Sequence, residues 1–183
     1  MPDMALIRCC APTLAGLKTG SLFSCRYESR EALHGELCRL ERILSPSGLR
    51  VLPLRYGNAR ALLYVFRPAA LRRDLEDRGA RELLDSSGYA GLNAEECLAR
   101  LSRRLRVGGA FPHEIGLFLG YPPEDVRGFM ENRAENYKLL GCWKVYGDEH
   151  RARQTFEKFK KCTDCYCRSH RAGMPLERLA VSL

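Results

Sequence analysis

The sequence predicts an α+β fold, in which a small antiparallel sheet (including a hairpin near 49–66) is covered by several helices, with a long helix near 149–170. Three observations carry this reading. Two β-rich runs, Leu49–Tyr56 and Ala59–Phe66, flank Gly57-Asn58, a two-residue turn signal. Leucines recur at spacings of four, three and four through Leu33, Leu37, Leu40 and Leu44. An apolar stripe of Ala152, Phe156, Phe159 and Tyr166 follows Asp148. Strand signals gather early and helical ones later, which suits segregated rather than alternating elements. The competing reading is a mostly α protein that carries one hairpin. At 183 residues the chain is read as a single domain, 1–183.

Taken in order, residues 5–23 read as an irregular lead-in because Pro12, Gly16 and Gly20 interrupt it, with a short strand at 21–26. Ser29 caps the first helix, and Pro46 with Gly48 ends it. Pro53 puts the first hairpin strand at an edge or at a bulge. Pro68 opens a short helix with Leu71 and Leu75 inward, and a second covers about 81–86. Asn93 and Glu96 form a capping box for a helix through Leu105, broken by Gly108-Gly109. Pro112 starts a helix that Gly120 ends, and Pro123 starts another through about Asn132. Leu139–Tyr146 reads as a strand, Asp148 caps the long helix, and Pro175–Leu183 is a short helix or tail.

The net charge is +8, and only six of the 30 basic residues are lysine. Arginine forks suit phosphate, so an acidic protein or a nucleic acid is an admissible partner. Neither aromatic platforms nor a reading helix accompany the basic faces, which makes nucleic acid the weaker choice. No stretch approaches the ~18 apolar residues of a membrane span, and Asp3, Arg8, Pro12 and Lys18 break any signal-like core. The chain therefore reads as cytoplasmic, with its nine cysteines reduced.

Three constellations could carry chemistry. His113 and Glu114 follow Pro112 and are expected in the first turn of a helix, where free amides favour a carboxylate and a neutral imidazole. His113 is then a general-base candidate. Cys10, ahead of Pro12, is the candidate nucleophile or redox thiol, with His113 as base and Glu114 or Asp125 as orienter. Lys18, Tyr121 and Asp125 are the candidates for holding a small anionic substrate. The third group is Cys162, Cys165, Cys167 and His170, a zinc or iron–sulfur candidate. One continuous helix cannot aim all three thiols at a single ion, so metal is the less favoured reading. Buried packing is the competing role for the cysteines.

The string FPHEIGLFLGYPPEDVRGF at Phe111–Phe129 resembles the hallmark of an uncharacterised bacterial family, a domain of unknown function found mainly in anaerobic Gram-positive lineages. The resemblance extends to CAPTLAGLK at Cys10–Lys18, CWKVYGD at Cys142–Asp148 and FEKFKKCT at Phe156–Thr163. It implies identity and no mechanism. Cys10, Lys18, His113, Glu114, Tyr121, Asp125 and Cys162 fall inside these strings, whereas Cys9, Cys165 and Cys167 do not share the pattern. Three functions compete: a thiol-dependent enzyme or redox protein acting on a small anionic substrate, a non-catalytic adaptor for protein or nucleic acid, and a metal-binding protein using the C-terminal cysteines.

Overall fold

A computed structural model describes residues 3–107 and 111–183. The elements run α1 (Asp3–Leu14), β1 (Gly20–Arg26), α2 (Arg30–Leu44), β2 (Arg50–Gly57), β3 (Arg60–Phe66), α3 (Pro68–Glu76), α4 (Arg78–Leu84), α5 (Ala94–Val107), α6 (Ile115–Phe118), α7 (Pro123–Glu131), β4 (Leu139–Leu140), β5 (Lys144–Val145), α8 (Glu149–Arg171) and α9 (Leu176–Leu179). The fold class is α+β. The chain forms two compact units, one made of the part up to Ala69 together with Phe159–Leu183, the other of Ala70–Lys158.

In the first unit β1, β3 and β2 form an antiparallel sheet in that order. Along β1 and β3 the partners Ser21–Val65, Phe23–Leu63 and Cys25–Ala61 point to one side. This face meets Leu6, Ile7, Cys10 and Leu14 of α1, Leu33, Leu40 and Leu44 of α2, Cys167 of α8, and Leu176 and Leu179 of α9 in one apolar core. On the opposite face Tyr64 stacks on Phe66 with centroids 4.6 Å apart. Tyr64 lies so close over Gly20 that a Cβ there would come within 2.4 Å of its ring.

Most of the expected elements are present, with reasons that match. Ser29 accepts a hydrogen bond from the Ala32 amide at 3.0 Å, and Gly48 takes φ +71° just beyond the helix. β2 is an edge strand, and its register shifts between Pro53 and Arg55, so Pro53 marks both an edge and a bulge. The hairpin turn sits one residue later than expected, on Asn58 and Ala59, both at positive φ. Asn93 and Glu96 cap α5 reciprocally, at 2.8 and 2.9 Å.

Three expectations are corrected. The lead-in at 5–23 is mostly helix α1, because Leu6, Ile7, Cys10, Ala11 and Leu14 bury one side of it. Pro12 falls near the C-terminal end of that helix, where its carbonyl accepts from the Leu17 and Lys18 amides. The segment Leu139–Tyr146 is not one strand but a tight hairpin of two two-residue strands, Leu139 facing Val145 and Leu140 facing Lys144. Finally, α6 begins at Ile115 and not at Pro112. The break expected at Gly108-Gly109 lies outside the described residues.

Arg67 carries no motif in the sequence, yet it ties together separate segments of the first unit. Its side chain is 4% exposed. Nε donates to Thr13 O at 2.9 Å and Nη1 to Ser47 O at 3.0 Å. Nη2 donates to both Leu14 O and Val181 O at 2.7 Å. One guanidinium thus joins the end of α1, the turn after α2 and the C-terminal segment. Burial pushes its pKa below the usual arginine value, with Tyr166 opposing the shift.

Candidate functional site

Residues 111–147 of the second unit build the most featured site. Asp125 lies in the first turn of α7 and is 3% exposed. The helix cap is Pro122, with no side-chain hydrogen bond. Asp125 instead reaches the β4–β5 hairpin. Its Oδ1 accepts from the amides of Tyr146 and Gly147, each at 2.7 Å, and Oδ2 accepts from Trp143 Nε1 at 2.7 Å. A buried carboxylate satisfied by three donors fixes the hairpin to the helix. Gly128 allows the approach, since a Cβ there would meet the Tyr146 ring at 2.4 Å.

The indole so held forms part of an aromatic cluster. Trp143 stacks on Tyr121 (centroids 4.8 Å apart, planes at 28°) and meets Phe156 edge-on at 4.6 Å. His113 tilts against Phe129 at 5.0 Å and against Phe111 at 6.2 Å. The rings of Phe111, His113, Tyr121, Phe129 and Trp143, with Leu140, Cys142 and Lys144, line a pocket of about 290 Å³, and Phe156 backs the indole from outside that lining. Phe111 and Leu140 remain 47% and 60% exposed. Lys144 is half-buried, donating to Ala134 O at 2.6 Å, with Nζ over the rings of Tyr137 and Phe129. Burial, with a smaller contribution from Cys142, pushes the Tyr121 phenol up to about 12, so it is protonated at neutral pH.

Glu114 is the N-cap residue of α6, a helix of only four residues, and its side chain makes no capping hydrogen bond there. The expected stabilisation by helix amides is therefore absent. Its carboxylate is 2% exposed. It accepts from Tyr89 Oη at 2.7 Å and pairs closely with Arg104 of α5. Arg100 and Arg104 lie over the Tyr89 ring, at 5.7 and 5.8 Å from its centroid. The pair joins α5 to the turn before α6, and burial followed by Glu114 raises the Tyr89 pKa above its ordinary value.

The remaining sequence candidates fall elsewhere. Cys10 and Lys18 belong to the first unit, while His113, Glu114, Tyr121 and Asp125 belong to the second. Within the second unit His113, Tyr121 and Asp125 line the same pocket, and Glu114 does not. Cys10 is 0% exposed, and burial pushes its thiol well above the usual range, with Lys18 pulling weakly the other way. A thiolate nucleophile needs access and a low pKa, and Cys10 has neither. Cys162, Cys165, Cys167 and His170 stand on the unbroken α8. Cys167 is buried in the core, Cys165 is exposed, and burial and Cys165 push the Cys162 thiol up to about 11. His170 Nδ1 lies 2.9 Å from Met174 O. Among the described residues no group of three or more His, Cys, Asp or Glu side chains gathers to hold a metal.

These positions order the thiols by reactivity. With Ellman's reagent at pH 8, the exposed Cys9, Cys38, Cys142 and Cys165 are expected to react within minutes. Cys10, Cys25, Cys97 and Cys167 are expected to react only after denaturation. Peptide mass mapping of a timed alkylation checks this, and early labelling of Cys10 would contradict the burial described.

What the fold and the site define is an α+β protein with a buried carboxylate staple beneath an aromatic pocket. Residues 6–180 match the family described as a protein of unknown function, DUF3793. The chain belongs to that family. No curated protein and no solved structure matches it. Among the described residues no helix is long and apolar enough to cross a membrane.

Proposed function

We propose that the protein is a binding module, not a catalyst, and that its recognition element is the aromatic pocket of the second unit, which takes a flat uncharged ring. One observation carries this reading. The charged side chains at the pocket are already engaged: Asp125 by three N–H donors, and Lys144 by a carbonyl and two rings. What remains to offer a ligand is ring surface. Offset or edge-on ring contacts contribute roughly 0.5–1.5 kcal/mol each beyond burial. A pocket of about 290 Å³ lies at the small end of ligand sites and suits one or two fused rings, such as an aromatic side chain of a partner. Nine free cysteines suit a reducing compartment, which supports a cytoplasmic setting.

The sole tryptophan makes this testable. In a ¹⁵N–¹H spectrum Trp143 gives one indole resonance. Adding p-cresol at millimolar concentration is expected to shift it along a saturable curve, while tert-butanol leaves it in place. An indole resonance that p-cresol does not move, up to its solubility limit, overturns the reading.

A thiol-dependent activity at this same pocket is the second reading. It is favoured by Cys142, an exposed thiol that lines the pocket together with His113. Alkylation of Cys142 at pH 7 about tenfold faster than free cysteine would separate it from simple binding.

A further inference from the structure

The two edges of the three-stranded sheet are treated differently. Edge strands expose a row of unpaired main-chain donors and acceptors, and proteins usually blunt them with proline, bulges or charge. β2 carries all three: Pro53, a register shift at Pro53/Arg55, and Arg50 and Arg55. β1 carries none of them before its last residue, Arg26.

The hydrogen-bond phase of β1 is fixed at both ends. The Tyr27 amide donates to Ala59 O at 3.0 Å, and the Arg67 amide donates to Thr19 O at 2.9 Å. Odd-numbered residues therefore bond to β3, since antiparallel pairs alternate. Gly20, Leu22, Ser24 and Arg26 aim their N–H and C=O groups off the sheet. Among the described residues these groups have no hydrogen-bond partner. Ser24 and Arg26 are exposed, and Leu22 is half-buried.

We infer that β1 pairs with β1 of a second copy of this chain, antiparallel about a two-fold axis at Phe23, to make one continuous six-stranded sheet. The register selects this occupant. Centred on Phe23, the outward-facing residues meet as Leu22 with Ser24 of the other copy, and Gly20 with Arg26. The only charge on the strand then lies across from a residue with no side chain, and the two Arg26 residues sit at opposite ends. The two central pairs alone exchange about four main-chain hydrogen bonds. The odd residues keep their core face, so neither copy has to refold. A two-fold axis is also the commonest way for a chain to pair with itself. Both copies carry +8, so their mutual repulsion opposes pairing. Added salt strengthens the dimer, whereas it would weaken docking of an acidic partner.

Sedimentation velocity of the whole protein from 1 to 100 µM, at low and at moderate salt, tests this. The expected result is a species of twice the 20.8 kDa chain mass that grows with concentration and with salt. Ser24→Pro removes a donor that faces off the sheet and leaves the ladder to β3 intact. It is expected to return the protein to a monomer with an unchanged circular dichroism spectrum. Ser24→Lys keeps the donor, places like charge beside the axis, and is expected to weaken the dimer at least tenfold. A monomer at every concentration overturns the inference, as does a dimer that either folded variant leaves intact.

Discussion

Replacing Arg67 with alanine is expected to cost about 3–5 kcal/mol, a large share of the ~5–15 kcal/mol that holds a domain together. The reason lies in what the guanidinium leaves behind. The Ser47 and Val181 carbonyls each lose their hydrogen-bond partner, and those of Thr13 and Leu14 lose one of two. Each buried acceptor so orphaned costs roughly 1–3 kcal/mol. Arg67→Lys recovers only part of this, because an ammonium is compact and cannot reproduce a planar fork that reaches four carbonyls. Denaturant unfolding of both variants measures the loss. Hydrogen exchange places it: the Val181 amide, which donates to Leu14 O at 3.0 Å, is expected to lose protection first. Unchanged protection at Val181 would show that the C-terminal segment is held by something else.

The second large effect is expected at Asp125. Asparagine is nearly the same size, and its oxygen can still accept from the Tyr146 and Gly147 amides. The other end then presents an NH₂ group to the Trp143 indole N–H, donor against donor, with the carboxylate acceptor at 2.7 Å gone. A loss of about 2–4 kcal/mol follows from one unmade bond plus the buried donor it strands. The Trp143 indole resonance is expected to move upfield, as its hydrogen bond is lost, and p-cresol to bind at least fivefold more weakly. If the variant keeps the native indole shift and full affinity, the staple does not position the pocket.

Much of the fold was legible because its signals are local. A capping box needs four residues, and the Asn93–Glu96 pair forms as its spacing indicates. Pro53 announces an edge because a missing amide has nowhere else to go. Helix α1 was hidden because Pro12 and small residues resemble a loop, and only burial against the sheet shows what Leu6, Cys10 and Leu14 are for. Pro112 resembles a helix start, yet α6 begins three positions later, at Ile115. The strings around His113 and Asp125 did mark the pocket, but not the roles of their polar groups. Asp125 resembles a ligand contact in sequence, and its donors lie 18 to 22 residues away on the hairpin. Arg67 gave no signal at all, since its partners are main-chain carbonyls, which carry no residue identity. Trp143 stands out in the sequence as the one tryptophan, but only its stacking on Tyr121 shows that it belongs to a site.

The first unit takes its core from both ends of the chain, with Cys167, Leu176, Leu179 and Ala180 closing over helices and strands that end by Phe66. On the ribosome this imposes an order of birth. The sheet and its first two helices emerge early and wait, with part of their apolar face uncovered, while the intervening Ala70–Lys158 is made. That stretch is continuous and can close on its own residues as it appears. The sheet is thus finished only after the intervening stretch has been made, because it depends on Leu176 and Leu179 beyond it. A message truncated before Leu176 would leave the first sheet without the Leu176 and Leu179 that complete its core.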